Sequence, residues 1–140
     1  YLNNLKKKKI DNVIIEASSH GLAQGRLSNI KFKTAIFTNF SQDHLDYHKT
    51  MRSYLNSKLL LFKKILSKKS KIIIDKEIKP FSAIKKISKK RNLKVVDIKT
   101  ELEKVKKKIF KNYTSFKIKN LAMAIKAVKL CNIKEKKIYK

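Results

Sequence analysis

The sequence predicts an α/β fold, a mostly parallel sheet flanked by helices. Short and nearly continuous β-branched runs recur along the chain, as strands buried on both faces require. Between them lie longer stretches with apolar residues at helical spacing, so strand and helix alternate. A length of 140 residues suffices for one domain with a real core. The 42% hydrophobic and 34% charged residues suit a globular body with a soluble surface.

In order, Tyr1 to Lys9 reads as a helix already under way, and a chain that opens on Tyr inside a helix reads as a piece of a longer protein. Val13-Ile14-Ile15 is the first predicted strand, closed by Glu16. Thr34-Ala35-Ile36-Phe37, Ile72-Ile73-Ile74 and Val95-Val96-Asp97-Ile98 are the next three. From Thr50 to Leu66, one apolar helical face carries Met51, Tyr54, Leu55, Leu59, Phe62, Ile65 and Leu66. Pro80 suits the start of a helix through Phe81, Ile84 and Ile87. Thr100-Glu101-Leu102-Glu103 has capping-box spacing, with Leu102, Val105 and Ile109 behind it. Asn120 to Cys131 reads as an amphipathic helix through Leu121, Ile125 and Val128. No internal repeat or interdomain linker interrupts this pattern.

Charge sets a further bound. The net charge of +27 invites a polyanion-binding reading, since lysines can replace counterions on phosphates. Only Arg26, Arg52 and Arg91 are arginines, however, whereas base readout leans on bidentate arginine. The lysines also run through every segment from Lys6 to Lys140 without an interleaved aromatic stripe, and A/T-rich codons favour Lys, Ile and Asn by themselves. Specific nucleic-acid binding is therefore not the expected role. No apolar run reaches the roughly 18 to 20 residues of a membrane span, and Val13 to Ile15 is too short for a signal peptide core. The single Cys131 excludes an internal disulfide and fits a reducing, cytoplasmic setting.

The rare residues gather between Glu16 and Lys58, where all three histidines and both glycines lie. In a parallel sheet, ligands sit beyond the carboxyl ends of the strands. Glu16 and Ser18 follow the first predicted strand, Asn39 to His44 the second, and Asp75 and Asp97 close the third and fourth. At the end of an apolar strand Glu16 is expected to be partly buried, so that it needs a divalent metal or a Lys or Arg as partner. Asp43-His44 opens a short helix that Ser41 can cap. His44 and His48, four apart, share a helix face: half a metal site, or surface histidines bonded to backbone. Lys58 falls where the helical pattern wants an apolar residue. Either its stem snorkels, or its amine enters the site, loses its proton and takes up carbon dioxide as a carbamate. The loop from Ser18 to Arg26 combines Ser18, Ser19, Gln24 and Arg26 with Gly21 and Gly25: a turn, or a grip for an anion.

Taken together, Glu16-Ala17-Ser18-Ser19-His20-Gly21-Leu22, then Gln24 and Arg26, then Thr38-Asn39 and Asp43-His44-Leu45-Asp46-Tyr47-His48, then Lys58, resemble the central ATPase domain of the Mur ligases. The likeness is greatest to the MurE type, the UDP-N-acetylmuramoyl-L-alanyl-D-glutamate:amino-acid ligases. It runs without gaps over residues 13–66 and continues weakly to Asn120-Leu121-Ala122. The resemblance implies an incomplete P-loop NTPase-like central domain spanning residues 1–140, without the N-terminal domain, the phosphate-binding loop or the C-terminal domain. It implies that Ser18, Gln24 and Arg26 contact the UDP-muramoyl dipeptide, and that Glu16 and His44 hold magnesium near the γ-phosphate of ATP. Lys58 is then the carbamylated lysine that helps position a second magnesium. His44 and Lys58 are the catalytic pair, and Asn39 and Asn120 belong to the nucleotide side. The implied enzyme is a monomeric ATP-dependent amide ligase of peptidoglycan precursor synthesis, adding meso-diaminopimelate or L-lysine through an acyl phosphate.

Several positions depart from the family pattern. Lys49 stands where the family usually has Gly, and Thr114-Ser115-Phe116-Lys117 replaces Gly-x-Phe-Asn before Asn120. The segment between Ile74 and Phe116 is shorter than the family's. The chain is expected to be inactive alone. A lysine-rich polyanion-binding module and a decayed homologue of the ligase are the competing readings.

Overall fold

The computed structural model describes residues 2–108 and 113–133. Its centre is a parallel sheet of three strands in the order β1-β2-β3. These are β1 (Phe32–Phe37), β2 (Leu66–Ile74) and β3 (Lys94–Asp97). The helices are α1 (Leu2–Lys7), α2 (Ser19–Ala23), α3 (Leu45–His48), α4 (Met51–Leu60), α5 (Phe81–Arg91), α6 (Lys99–Lys108) and α7 (Ser115–Leu130). A π-helical turn, Leu61–Ile65, joins α4 directly to β2. Parallel neighbours need a crossover; α3 and α4 supply the one from β1 to β2, and α5 the one from β2 to β3.

Strand alternation assigns the two faces. Ile72 and Ile74 point to one side, where Ala35, Phe37, Leu59, Phe62, Ile84 and Leu93 close the main core. Ile73 points to the other, against Ile98 and Met123. There α7 covers the sheet, backed by α6 through Val105, Ala122 and Ile125. Each of these isoleucines is fully buried, worth about 1.5–3 kcal/mol per side chain. Between Phe32↔Leu66 and Thr34↔Lys71 the register slips, and β2 bulges through Lys69 at φ 63°. Arg91, at the end of α5, donates to the carbonyls of Phe62, Lys63 and Leu66 and pins the π turn to that helix.

The structure corrects several expectations. Val13-Ile14-Ile15 is not a strand: residues 10–18 are irregular, and Ile14 is 87% exposed. An apolar run is buried only where a neighbouring strand and a covering layer receive it, and among the described residues no strand lies beside it. Glu16, expected to be partly buried, is exposed for the same reason. Thr100 lies inside α6 instead of capping it; Asp97 Oδ1 accepts from the Lys99 backbone N–H at 3.2 Å. Glu101, freed from the capping box, is buried and receives the Lys129 ammonium at 3.0 Å. The C-terminal helix begins at Ser115, earlier than expected, and Leu121 stands 41% exposed while Ala122, Met123 and Ile125 are buried. Tyr1 and Ile109 lie outside the described residues.

Candidate active site

The chain leaves β1 at Phe37 and passes through Thr38 to Phe40 before turning into α3. His44 is the N-cap of α3 in a left-handed conformation, φ 54°, and its backbone N–H is taken by Asp43 Oδ1 at 2.9 Å. Asp43, and not the expected Ser41, therefore ties this corner. The second Asp43 oxygen lies 3.3 Å from His44 Nε2. Thr50 caps α4 by accepting from Ser53 N–H at 3.1 Å, and so starts the helix that carries Tyr54, Ser57 and Lys58 inward.

Tyr54 is the hub. Its buried ring stacks on Phe40 at 5.4 Å and meets His44 at 6.3 Å and His48 at 5.3 Å. The Lys58 ammonium sits 5.1 Å from the Tyr54 ring and 5.3 Å from the Phe37 ring, with the Asn39 carbonyl at 3.5 Å. Lys58 does not snorkel away from the apolar face. Burial lowers its pKa, and the Asp43 charge opposes that only in part. Burial, then the Asp43 charge, pushes the Tyr54 phenol up.

The glycine-bearing loop joins from the other side. Ser18 Oγ caps α2 by accepting from Gly21 N–H at 3.1 Å. A Cβ on Gly21 would lie 3.2 Å from that oxygen and 3.8 Å from Arg26 Cδ, so Arg26 folds alongside the cap. Gly25 supplies the left-handed turn at φ 70° that brings Arg26 back. His20 then meets His44 at 4.9 Å, Tyr47 at 4.2 Å and His48 at 5.3 Å, between ring centroids.

His44 and His48 do not form half a metal site. His44 is exposed, whereas His48 is buried and bonded to Ser19 and Ser57 hydroxyls. Among the described residues no group of three or more His, Cys, Asp or Glu is placed to hold a metal ion. Burial, then the charges of His20 and His44, lower the His48 pKa against an opposing Asp46.

Of the candidate residues, His44, Asn39 and Lys58 thus gather around Tyr54, while Ser18 and Arg26 lie on the adjoining loop, which meets the histidines through Ser19 and His20. The Glu16 and Gln24 side chains are exposed and make no hydrogen bond or ion pair among the described residues, Gln24 serving only as the C-cap of α2 through its backbone N–H to the His20 carbonyl at 2.9 Å. The carboxylate acting on Lys58 is that of Asp43. Asn120 is exposed on α7, which covers the opposite face of the sheet. Its neighbour Lys119 reaches Asp75 at the end of β2, so that turn still lies at the carboxyl edge. Burial alone would raise the Asp75 pKa, but the Lys119 bond, the Glu77 N–H and the Lys119 and Lys106 charges hold it below the usual range. Sequence reasoning counted Ser19 in the loop but gave it no role, and missed Tyr54, His20 and Ser57 as site residues. Tyr54 reads as core, and only its spacing of four from Lys58 hinted at more.

Fold and cluster define a parallel α/β domain with its reactive side chains gathered beyond the strand ends, as ligand-binding α/β domains place them. The chain belongs to the Mur ligase family: the Mur ligase middle domain model matches residues 1–137. It is 56% identical over 64 residues, 46% of this chain, to the UDP-N-acetylmuramoyl-L-alanyl-D-glutamate--2,6-diaminopimelate ligase of Wigglesworthia glossinidia brevipalpis. It is 46% identical over 92 residues, 66% of this chain, to the enzyme of that name from Rickettsia bellii. To the one from Rickettsia conorii it is 41% identical over 99 residues, 71% of this chain. The matched stretches cover 13%, 19% and 21% of these relatives, so the chain spans about a fifth of their length or less. Among the described residues no helix is long and apolar enough to cross a membrane.

Proposed function

We propose that this chain is the middle-domain portion of an ATP-dependent amide ligase of peptidoglycan precursor synthesis. The whole protein, a cytoplasmic monomer, adds diaminopimelate to UDP-N-acetylmuramoyl-L-alanyl-D-glutamate. The chain alone, about a fifth of such an enzyme, is inactive. The observation that carries this reading is the meeting of the Lys58 amine and the Asp43-His44 corner around Tyr54, with the Ser18 loop joined to them through Ser19 and His48. Diaminopimelate, in preference to L-lysine, rests on the names of the relatives.

The chemistry explains the arrangement. A carboxylate and a triphosphate must meet in line although both are anionic, so positive charge has to be fixed between them. In this reading Ser18, Gln24 and Arg26 hold the UDP-dipeptide, Arg26 as a two-pronged clamp on an anion. Asn39 and Asn120 face the nucleotide. The glutamate carboxylate oxygen attacks the γ-phosphorus and ADP leaves. The incoming amine then attacks the acyl carbon, and phosphate leaves with the carbonyl restored.

Magnesium prefers oxygen ligands, keeps several waters and binds through one or two carboxylates together with phosphates. The exposed Glu16 carboxylate, without an ion pair among the described residues, is an oxygen donor of the kind magnesium takes. The His44 imidazole would add a nitrogen ligand, and the phosphates would complete a set that the described residues leave open. Bound there, the ion would neutralise charge on the transferring phosphoryl group. Lys58 suits carbamylation because burial favours its neutral amine. The ammonium first gives one proton to solvent. The nitrogen lone pair then bonds to the carbon of CO₂ as one C=O π bond opens, a second proton departs, and the neutral amine becomes a carbamate anion able to hold a second magnesium.

The test is phosphate release by the whole protein in the presence of ATP, magnesium, UDP-dipeptide and diaminopimelate. Release that needs all four supports the reading, and release indifferent to the UDP-dipeptide ends it.

A further inference from the structure

His48 is 5% exposed, and its two ring nitrogens face hydroxyls from different elements. Nε2 lies 2.9 Å from Ser19 Oγ at the start of α2, and Nδ1 lies 3.4 Å from Ser57 Oγ on α4. Ser19 adjoins Ser18, the cap of the loop leading to Arg26, and Ser57 adjoins Lys58. One ring therefore spans the two halves of the site.

Its protonation follows from where Ser57 spends its proton, and the Ser53 carbonyl at 3.1 Å is nearer than Nδ1 at 3.4 Å. Ser57 donates its single hydroxyl proton to the Ser53 carbonyl at 3.1 Å, so its oxygen can only accept from the ring. The His48 proton is then on Nδ1, and Nε2 is left to accept from the Ser19 hydroxyl. The chain runs Ser19 O–H to Nε2, then Nδ1–H to Ser57, then Ser57 O–H to Ser53. The surrounding groups are His20 from α2, His44 and Asp46 around α3, and Tyr47 and Tyr54. With two imidazoles beside it, a neutral ring held between hydroxyls is the arrangement that satisfies every partner. Among the described residues no buried side-chain nitrogen or oxygen lacks a partner.

We infer that His48 is a positioning residue that locks the Ser18–Arg26 loop to helix α4, the helix of Lys58, through one neutral tautomer read by Ser19 and Ser57. This rests on the ligase reading for the roles of Ser18 and Lys58, but not for the lock itself. α4 is held independently by Leu59 and by Phe62 just beyond it, both in the main core, so the loop is the part the lock restrains.

The experiment uses the whole protein, wild type and with His48→Ala, His48→Gln and Ser19→Ala. Losing one such hydrogen bond should raise KM for the UDP-dipeptide about three- to tenfold in His48→Ala and Ser19→Ala, with kcat within about threefold. His48→Gln, whose amide oxygen can accept from Ser19, should recover most of that loss. Long-range ¹H–¹⁵N spectra should show the Nδ1–H form of His48, and amide exchange at residues 19–26 should quicken in His48→Ala. An Nε2–H tautomer overturns the inference, as does unchanged KM and exchange in both alanine variants. A fall in kcat with KM intact also overturns it, by assigning the ring to the chemistry. Should the wild-type protein show no ligase activity, the function proposed above falls, while tautomer and exchange still decide the lock.

Discussion

Replacing Lys58 with methionine separates what the residue does for folding from what it does for chemistry. The structure gives the ammonium three supports: a hydrogen bond at the 3.5 Å limit and two ring contacts beyond 5 Å. A bond that long contributes little, and each ring contact is worth about 0.5–1 kcal/mol. Against them stands the cost of desolvating the charge, large enough to lower its pKa despite Asp43. Methionine keeps the packing of the stem and removes the charge. The balance predicts a change in unfolding free energy of no more than about 1 kcal/mol, in either direction, read by urea titration at neutral pH. Activity of the whole protein should fall by at least about a hundredfold, the usual cost of removing one preorganised electrostatic group. In Lys58→Ala, which leaves space, bicarbonate or acetate should restore part of the turnover by replacing the carbamate. A stability loss beyond about 2 kcal/mol would make Lys58 a structural residue. Undiminished turnover would refute the placement of its amine in the site.

Other outcomes follow from burial and charge. Phe62, fully buried against Phe37 and its neighbours on the sheet, should cost about 3–5 kcal/mol when cut to alanine, measured by denaturant titration. Lys129→Met leaves the Glu101 carboxylate, 3% exposed, without its ammonium, and should cost a similar amount, about 3–5 kcal/mol. Glu101→Gln in the same background should recover much of that loss. For pH, the folded His48 pKa lies below its unfolded value near 6.5, so below that pH the unfolded chain binds more protons. Stability should hold above pH 6.5 and decline as pH falls toward the folded pKa, and His48→Gln should flatten that limb in thermal melts. If the variant keeps the full decline, another group is responsible for it.

Much of the fold was legible along the chain because its signals are local. The runs at Thr34, Ile72 and Val95 are strands wherever a sheet forms, and the apolar face from Tyr54 is helical by spacing as far as Ile65, whereas Leu66, expected on that face, already opens β2. The same logic misled at Val13-Ile14-Ile15, whose pattern equals that of β2 but which no strand among the described residues receives. It misled again at Thr100, where a capping pattern competed with Asp97 one turn earlier and with a buried place for Glu101 beside Lys129.

The candidate site divides in the same way. Residue type and order along the chain sufficed to mark Ser18, Arg26, His44 and Lys58 as chemically capable and to tie them to one family. Which of them meet is a matter of distance between segments up to 40 positions apart, and distance is set by packing. Only the folded chain turned Tyr54 into a hub, gave Lys58 the company of Asp43 and left Glu16 in water. Only there did His48 become a buried link between two hydroxyls, because a ring's partners depend on what lies across from it, not on what precedes it.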